Sequence, residues 1–309
     1  MANVIMQSYF FNKNFEKEMI KQYGDSYIAY RKEWNTDISK VSDSPLQIDL
    51  DLFDACNQQC IMCHQRNRKR TNISIDIVML TRVLTELKKH GLMAVNIGGS
   101  CEPLLKKKTL YEALSVCKDI DILDTFMHTN GILLDGATSK KIITSGLKHI
   151  CISVDAATSD TYKLMRRSED FDILEKNIVT FLSLRGENIF PQVRISFCVT
   201  ALNEHEQEMF VERWHNKVDL LEFQRYKPVG PGLPGDKSWL KETACKAGFN
   251  RCMLWPDGTV SPCCQGWEGV AFGNVAQSSF QEVWTSPRAE KARAAIAAGL
   301  PQICQTCRN

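Results

Sequence analysis

No apolar run in this chain reaches the roughly twenty residues that a membrane-spanning helix needs, which excludes a protein built on such helices. Residues 1–21 mix Phe, Asn, Lys and Glu and lack the apolar core of a signal peptide. Charge of one sign is lacking too. The 38 Lys and Arg against 36 Asp and Glu leave a net +2, no footprint for nucleic acid or an anionic membrane. Histidine is sparse, at six residues, and none shows ligand spacing. Cysteine is plentiful: thirteen, an odd number. Without a secretion signal, such a set points to metal clusters and reduced thiols rather than disulfides, and to the cytoplasm. The 309 residues, 44% hydrophobic and 24% charged, suit one large domain or two.

Residues 1–44 are polar with scattered aromatics (Tyr9, Phe10, Phe11, Tyr27, Tyr30, Trp34), and 15–23 reads as a short helix packed outside the rest. From Leu46 a regular alternation begins. Strands are expected at 47–53, 94–97, 125–128, 149–154, 192–199 and 220–224. Helices are expected at 75–90, 110–117, 140–145, 171–184 and 206–214, with Ser74 and Gly91 ending the first. About six β/α units imply an α/β fold, a parallel sheet curled into a partial (β/α)6 barrel and open on one side. The breaker-rich stretch Pro228 to Gly235 then opens a small cysteine-rich domain. The expected division is 1–44 extension, 45–227 barrel and 228–309 C-terminal domain.

The first strand runs into Cys56-Asn-Gln-Gln-Cys60-Ile-Met-Cys63-His64. Three thiolates on one short loop can hold three irons of a 4Fe–4S cube and leave the fourth open, where ordinary ligation uses four. Zinc prefers C-x2-C pairs, and the x3 gap fits it poorly. Further motifs follow later strands: Gly98-Gly99-Ser-Cys101-Glu102-Pro103, Thr129-Asn130-Gly131 and Ser153-Val-Asp155. In parallel barrels the carboxyl ends of the strands share one face, which carries the chemistry. Alone, each motif is also a turn or a helix cap. Arg194, facing inward with Ser196, suits a carboxylate or an internal ion pair. His64 is either a donor beside the cysteines or an exposed side chain.

The cysteine loop resembles the signature of the radical S-adenosylmethionine (radical SAM) enzymes. The resemblance implies that SAM chelates the open iron and is cleaved by one electron to a 5′-deoxyadenosyl radical, which abstracts a hydrogen atom from a substrate. It also implies an electron donor of flavodoxin or ferredoxin type. By the same resemblance Met62 stands where an aromatic residue often faces the adenine. Gly98, Gly99 and Glu102 stand for the glycine-rich segment that holds the amino end of SAM. Asn130, Ser153, Asp155 and Arg194 are the remaining SAM-side candidates.

Beyond the linker come Cys245, Cys252, Cys263, Cys264, Cys304 and Cys307, with 253–263 reading as a hairpin turning at Asp257-Gly258. On spacing alone a structural zinc site and a cluster are both open. The stretch resembles the SPASM extension of radical SAM enzymes, which implies an auxiliary 4Fe–4S cluster on Cys245, Cys263, Cys304 and Cys307, two clusters in all. Cys252 and Cys264 are then spare. Buried thiols commonly fill space, but Cys252 is also a candidate hydrogen donor to a substrate radical, as in some aminoglycoside epimerases. The single auxiliary cluster resembles such epimerases and aminocyclitol dehydrogenases, and implies epimerisation or oxidation of a sugar, cyclitol or aminoglycoside-type small molecule. Two other readings are a maturase of a ribosomal peptide and a non-enzymatic iron–sulfur or zinc protein.

Overall fold

A computed structural model describes residues 8–11, 14–34, 41–66, 68–226, 245, 247–264 and 270–299. In chain order the elements begin with strand β1 (Tyr9–Phe10), helices α1 (Phe15–Tyr23) and α2 (Asp25–Trp34), β2 (Gln47–Leu50), α3 (Ile77–Lys89) and β3 (Ala94–Ile97). Then come α4 (Lys107–Asp119), β4 (Asp124–Thr129), α5 (Gly136–Thr144), β5 (His149–Ser153), α6 (Ser159–Arg166), α7 (Phe171–Arg185) and β6 (Gln192–Val199). The chain continues through α8 (Gln207–Trp214), β7 (Leu220–Arg225), β8 (Arg251–Leu254), β9 (Thr259–Ser261), β10 (Gly273–Asn274), α9 (Phe280–Trp284) and α10 (Pro287–Ala297).

Strands β2 to β7 are parallel neighbours in sequence order, as the six-unit reading requires. The alternation that betrays them has a physical cause. Successive side chains point to opposite faces, so Ile48, Leu50, Val95, Ile97, Met127, Ile150, Ile152, Val193, Ile195 and Phe197 pack outward against helices such as α3, whose Leu80, Val83, Leu84 and Leu87 are buried. The opposite face carries Asp49, Asn96, His128, Cys151, Arg194, Ser196 and Glu222. These line the inside of the curl.

Four features depart from the sequence reading. The first strand stops at Leu50, not residue 53. Asp76, not Ser74, caps α3, its carboxylate accepting from the Met79 N–H at 2.7 Å. Helix α6 was not expected; Thr158 caps it, and Tyr162 and Met165 bury its inner face. The N-terminal helices do not merely coat the outside. Phe15, Met19, Tyr27 and Tyr30 pack on Ala94 and Leu123, the amino ends of β3 and β4, so α1 and α2 close that end of the curl.

The C-terminal hairpin extends the sheet. β8 pairs parallel with β2, setting Cys252 opposite Ile48 and Met253 opposite Asp49, and β9 returns antiparallel. Gly258 makes the turn at φ 84°, a left-handed conformation suited to glycine.

Candidate active site

Beyond β2 the chain makes a dense polar loop. Asp51 accepts from the Ser100 N–H at 3.0 Å and from its hydroxyl. Asp54 accepts from the Thr71 N–H at 2.8 Å and from the Arg68 and Arg70 guanidiniums. These bonds fold the cysteine loop back over the carboxyl ends of the strands.

Cys56, Cys60 and Cys63 sit on that loop, Cys60 buried and the others half-buried. Helix α6 holds it in place. The Ile61 N–H donates to the Met165 carbonyl at 2.9 Å, and Gln58 Nε2 donates to the Tyr162 hydroxyl at 2.8 Å. Arg166 Nη1 lies 3.4 Å from Cys60 Sγ, while its Nη2 pairs with Asp155 Oδ2 at 2.5 Å. Burial pushes the Cys56 thiol up to about 11 and raises Cys63; each feels the neighbouring cysteines. Among the described residues, no three His, Cys, Asp or Glu side chains converge as a single metal ion requires. Zinc would hold its sulfurs about 2.3 Å from one centre, whereas a cube offers each thiolate a separate iron. Cys60 stands near both Cys56 and Cys63 on the loop, as three ligands of one cube require. Burial, with Arg70 and Arg68 nearby, lowers His64 to about 4. It is a neutral, half-buried ring, not an exposed one.

The other expected SAM-side residues divide. Met62 is half-buried on the loop. Gly98 has φ 91°, and a Cβ there would stand 2.6 Å from the His128 carbonyl, so this glycine is required by the neighbouring strand itself. Gly99 has ordinary clearance from Met253 Sδ, at 3.7 Å. Asn130 Nδ2 donates to Asn57 Oδ1 at 2.7 Å, tying the turn after β4 to the cysteine loop. Ser153 and Ser196 face each other across β5 and β6, hydroxyls 3.5 Å apart. Asp155, at φ 62°, accepts from the Cys198 N–H at 2.6 Å as well as from Arg166.

Glu102 and Arg194 both have partners within the protein. Glu102 is 1% exposed and accepts from the Thr129 hydroxyl at 2.8 Å, the Asn130 N–H at 2.7 Å and the Leu104 N–H at 3.0 Å. Most of its acceptor capacity is used inside the protein. It clamps two rim loops together beside the cysteine loop, where its own N–H donates to the Ala55 carbonyl at 2.9 Å. Glu102→Gln therefore puts an amide donor among three donors. The expected result is a loss of about 1–3 kcal/mol of stability, read as a lower Tm by calorimetry; an unchanged Tm with weaker SAM binding would restore a direct role toward SAM. Arg194 pairs with Glu222 at 3.3 Å, two residues deeper than Ser196 along β6, which is the internal ion pair allowed for above.

Cys252 is not on the inner face at all. The β8 register sends it outward with Ile48 and Leu254 into the apolar layer, fully buried, near Arg293 of α10. Burial, with Asp49 next, raises its thiol well above the ordinary range. Met253 takes the inward place. Cys101 points to Asp51, and Cys264 lies near Cys263, Asp49, Arg251 and Asp51. Arg251 faces Cys245, Cys263 and Cys264 together, so two expected auxiliary ligands share one neighbourhood; Cys304 and Cys307 lie outside the described residues. Two contacts join this region to the first loop. Gln65, fully buried, donates to the Cys264 carbonyl at 2.8 Å, and the Arg68 guanidinium lies 4.9 Å from the Trp255 ring centre.

Sequence reasoning missed Arg166, Gln65 and Arg251. Arg166 had one available signal: the Thr158-Ser-Asp start of a helix directly after Asp155.

Comparison with known proteins accords with this geometry. The profile of the radical SAM superfamily matches residues 50–212, and that of an iron–sulfur cluster-binding domain, SPASM, matches 245–308. Together they imply 4Fe–4S clusters and SAM. A probable GTP 3',8-cyclase of Saccharolobus solfataricus is 30% identical over 196 residues, covering 61% of this chain and 59% of the relative. Mycofactocin maturase MftC of Mycobacterium tuberculosis is 24% identical over 283 residues, covering 78% of this chain and 71% of the relative. The chain thus spans about six tenths of the length of the first curated relatives it matches. Among solved structures, Streptococcus suis SuiB bound to precursor peptide SuiA shares the fold with a TM-score of 0.65 at 16% identity, covering 95% of this chain and 74% of that one. BtrN in complex with AdoMet and 2-DOIA does so at 0.57 and 13%, covering 87% and 94%.

Proposed function

The chain belongs to the radical SAM superfamily, and on that premise we propose that it abstracts a hydrogen atom from a sugar, cyclitol or aminoglycoside-type substrate, leading to oxidation. Cys56, Cys60 and Cys63 would hold a 4Fe–4S cluster that, with SAM bound, would supply the abstracting 5′-deoxyadenosyl radical. The chain's own residues hold that loop over the strand ends: Arg166 at the Cys60 sulfur, Gln58 against Tyr162, Asn130 against Asn57.

The observation that carries the substrate reading is the polar inner face beneath this rim. His128, Cys151, Arg194 and Glu222 offer donors and acceptors where the substrate would lie. Oxidation is favoured over epimerisation because Cys252, the proposed donor of a second hydrogen, faces away. Removing two hydrogens from a carbinol carbon gives a carbonyl. The first would leave as an atom to the 5′-deoxyadenosyl radical; the remaining electron would pass to the oxidised auxiliary 4Fe–4S cluster that Cys245, Cys263, Cys304 and Cys307 would hold, and the proton to water. An external flavodoxin or ferredoxin would reduce the first cluster. A maturase acting on a ribosomal peptide is the second reading, supported by the likeness to MftC and to SuiB. Among the described residues, no helix is long and apolar enough to cross a membrane.

The test is anaerobic turnover in deuterated water with an aminocyclitol. The expected product is two mass units lighter, without solvent deuterium at the reacting carbon, and Cys252→Ala should turn over within about twofold of the parent, since a core thiol acts here only as filler. Stalled turnover in Cys252→Ala, with solvent deuterium in the parent's product, would reinstate epimerisation.

A further inference from the structure

We infer that His128, Arg194 and Glu222 form a floor that binds the substrate's polar groups and selects a neutral or amino-bearing polyol over a phosphorylated ligand. This rests on the reaction proposed above and names the residues that would give it its substrate.

The placement follows from register. His128, Cys151 and Arg194 occupy one rung across β4, β5 and β6. Glu222 stands one inward step further along β7, beside Ser196, and reaches back to Arg194 at 3.3 Å. Below this rung the inside is sealed. Phe126 stacks on His149 with ring centres 4.2 Å apart and planes 1° apart, and Phe15 covers His149 at 4.2 Å with Phe190 behind it. Above it lie Ser153 and Ser196, then Asp155 and the cysteine loop. A molecule entering from the cysteine-bearing end therefore meets these three side chains before an aromatic plug. The Arg194 and Glu222 side chains each keep 23% of their surface. Both sit on the concave face of the sheet, so that surface borders internal space.

The chemistry follows from charge balance. Burial, and then Arg194, lowers His128 to about 4, so its imidazole is neutral with one donor and one acceptor nitrogen. Arg194 is neutralised by Glu222 and Arg166 by Asp155, while Arg68 and Arg70, which share the single carboxylate of Asp54, lie above the floor in the segment that follows Cys63. Arg251 stands beside Asp49. At the floor itself, Arg194 paired with Glu222 leaves little surplus charge for a phosphate. A polyol needs no surplus, because each hydroxyl both donates and accepts. An amino group on it can donate to the Glu222 carboxylate, which has acceptor sites besides the one facing Arg194.

The experiment uses the anaerobically reconstituted full chain with SAM, and measures binding of 2-deoxystreptamine, myo-inositol and GTP by equilibrium dialysis. The expected result is that a polyol binds, GTP does not, and Glu222→Gln and Arg194→Met weaken polyol binding at least tenfold while SAM binding and iron content stay at parent levels. Glu222→Gln is nearly isosteric, so it carries the test if Arg194→Met fails to fold. Unchanged polyol binding in Glu222→Gln overturns the floor. A parallel loss of SAM binding overturns it too, returning Arg194 to the SAM carboxylate. If the parent binds neither polyol, the selection is overturned; if GTP or a peptide then accelerates 5′-deoxyadenosine formation, the reaction proposed above falls with it.

Discussion

Replacing Cys56, Cys60 and Cys63 together with alanine should abolish 5′-deoxyadenosine formation and should lower iron from about eight to about four per chain, the content of one cube. The expectation rests on two separate thiol sets. One is the loop clasped by Arg166, Tyr162 and Asn130; the other has Cys245 and Cys263 around Arg251. The loop variant removes all three thiols of the C-x3-C-x2-C loop, so the loss of cleavage should be complete rather than graded. Exchanging Cys245 and Cys263 should remove the other four irons and leave SAM cleavage measurable. Iron and sulfide analysis, with electron paramagnetic resonance of the reduced protein, separates the two. About four irons with bound zinc in the parent protein would sink the auxiliary-cluster assignment.

How much of this was legible beforehand depends on the range over which each signal acts. The C-x3-C-x2-C loop is a local signal, since its spacing alone limits what the thiols can hold. The six strands were legible because period-2 alternation follows from the pleat, and 192–199 was read to the residue. Cys252 was misplaced for a non-local reason. Its orientation depends on β8 pairing parallel with β2, two strands 200 residues apart in the chain, and a one-residue change of register turns every side chain over. Glu102 was read only as a partner for the amino end of SAM, and its donors within the protein went unseen because Thr129 and Asn130 come from the next β/α unit. Arg166 was missed with the helix that carries it. α6 is a short eight-residue helix, too brief for a periodic pattern to stand out, and its function appears only when it folds back onto Cys60.

Arg166→Met should lower stability by about 3–5 kcal/mol, the usual result of stranding one partner of a buried ion pair, and Tm by on the order of 10 °C. The Asp155 and Arg166 side chains are 3% and 10% exposed, so little water can compensate the abandoned carboxylate. The Asp155→Asn/Arg166→Met double variant should recover most of that loss, because the buried charge goes with its partner and the φ of 62° at position 155 suits Asn. SAM cleavage should behave differently. Arg166 also reaches the Cys60 sulfur at 3.4 Å, a bond that neither variant restores, and hydrogen bonds to ligand sulfurs set how readily a cluster accepts an electron. Cleavage should therefore stay depressed in the double variant while thermal stability returns, and the midpoint potential of the SAM-site cluster should be shifted to lower values in both. If cleavage recovered together with Tm, Arg166 would be a structural strut for Asp155 and nothing more. If stability and potential move separately, the arginine acts on the cluster loop itself, and α6 is as much a part of the active site as the cysteines it holds.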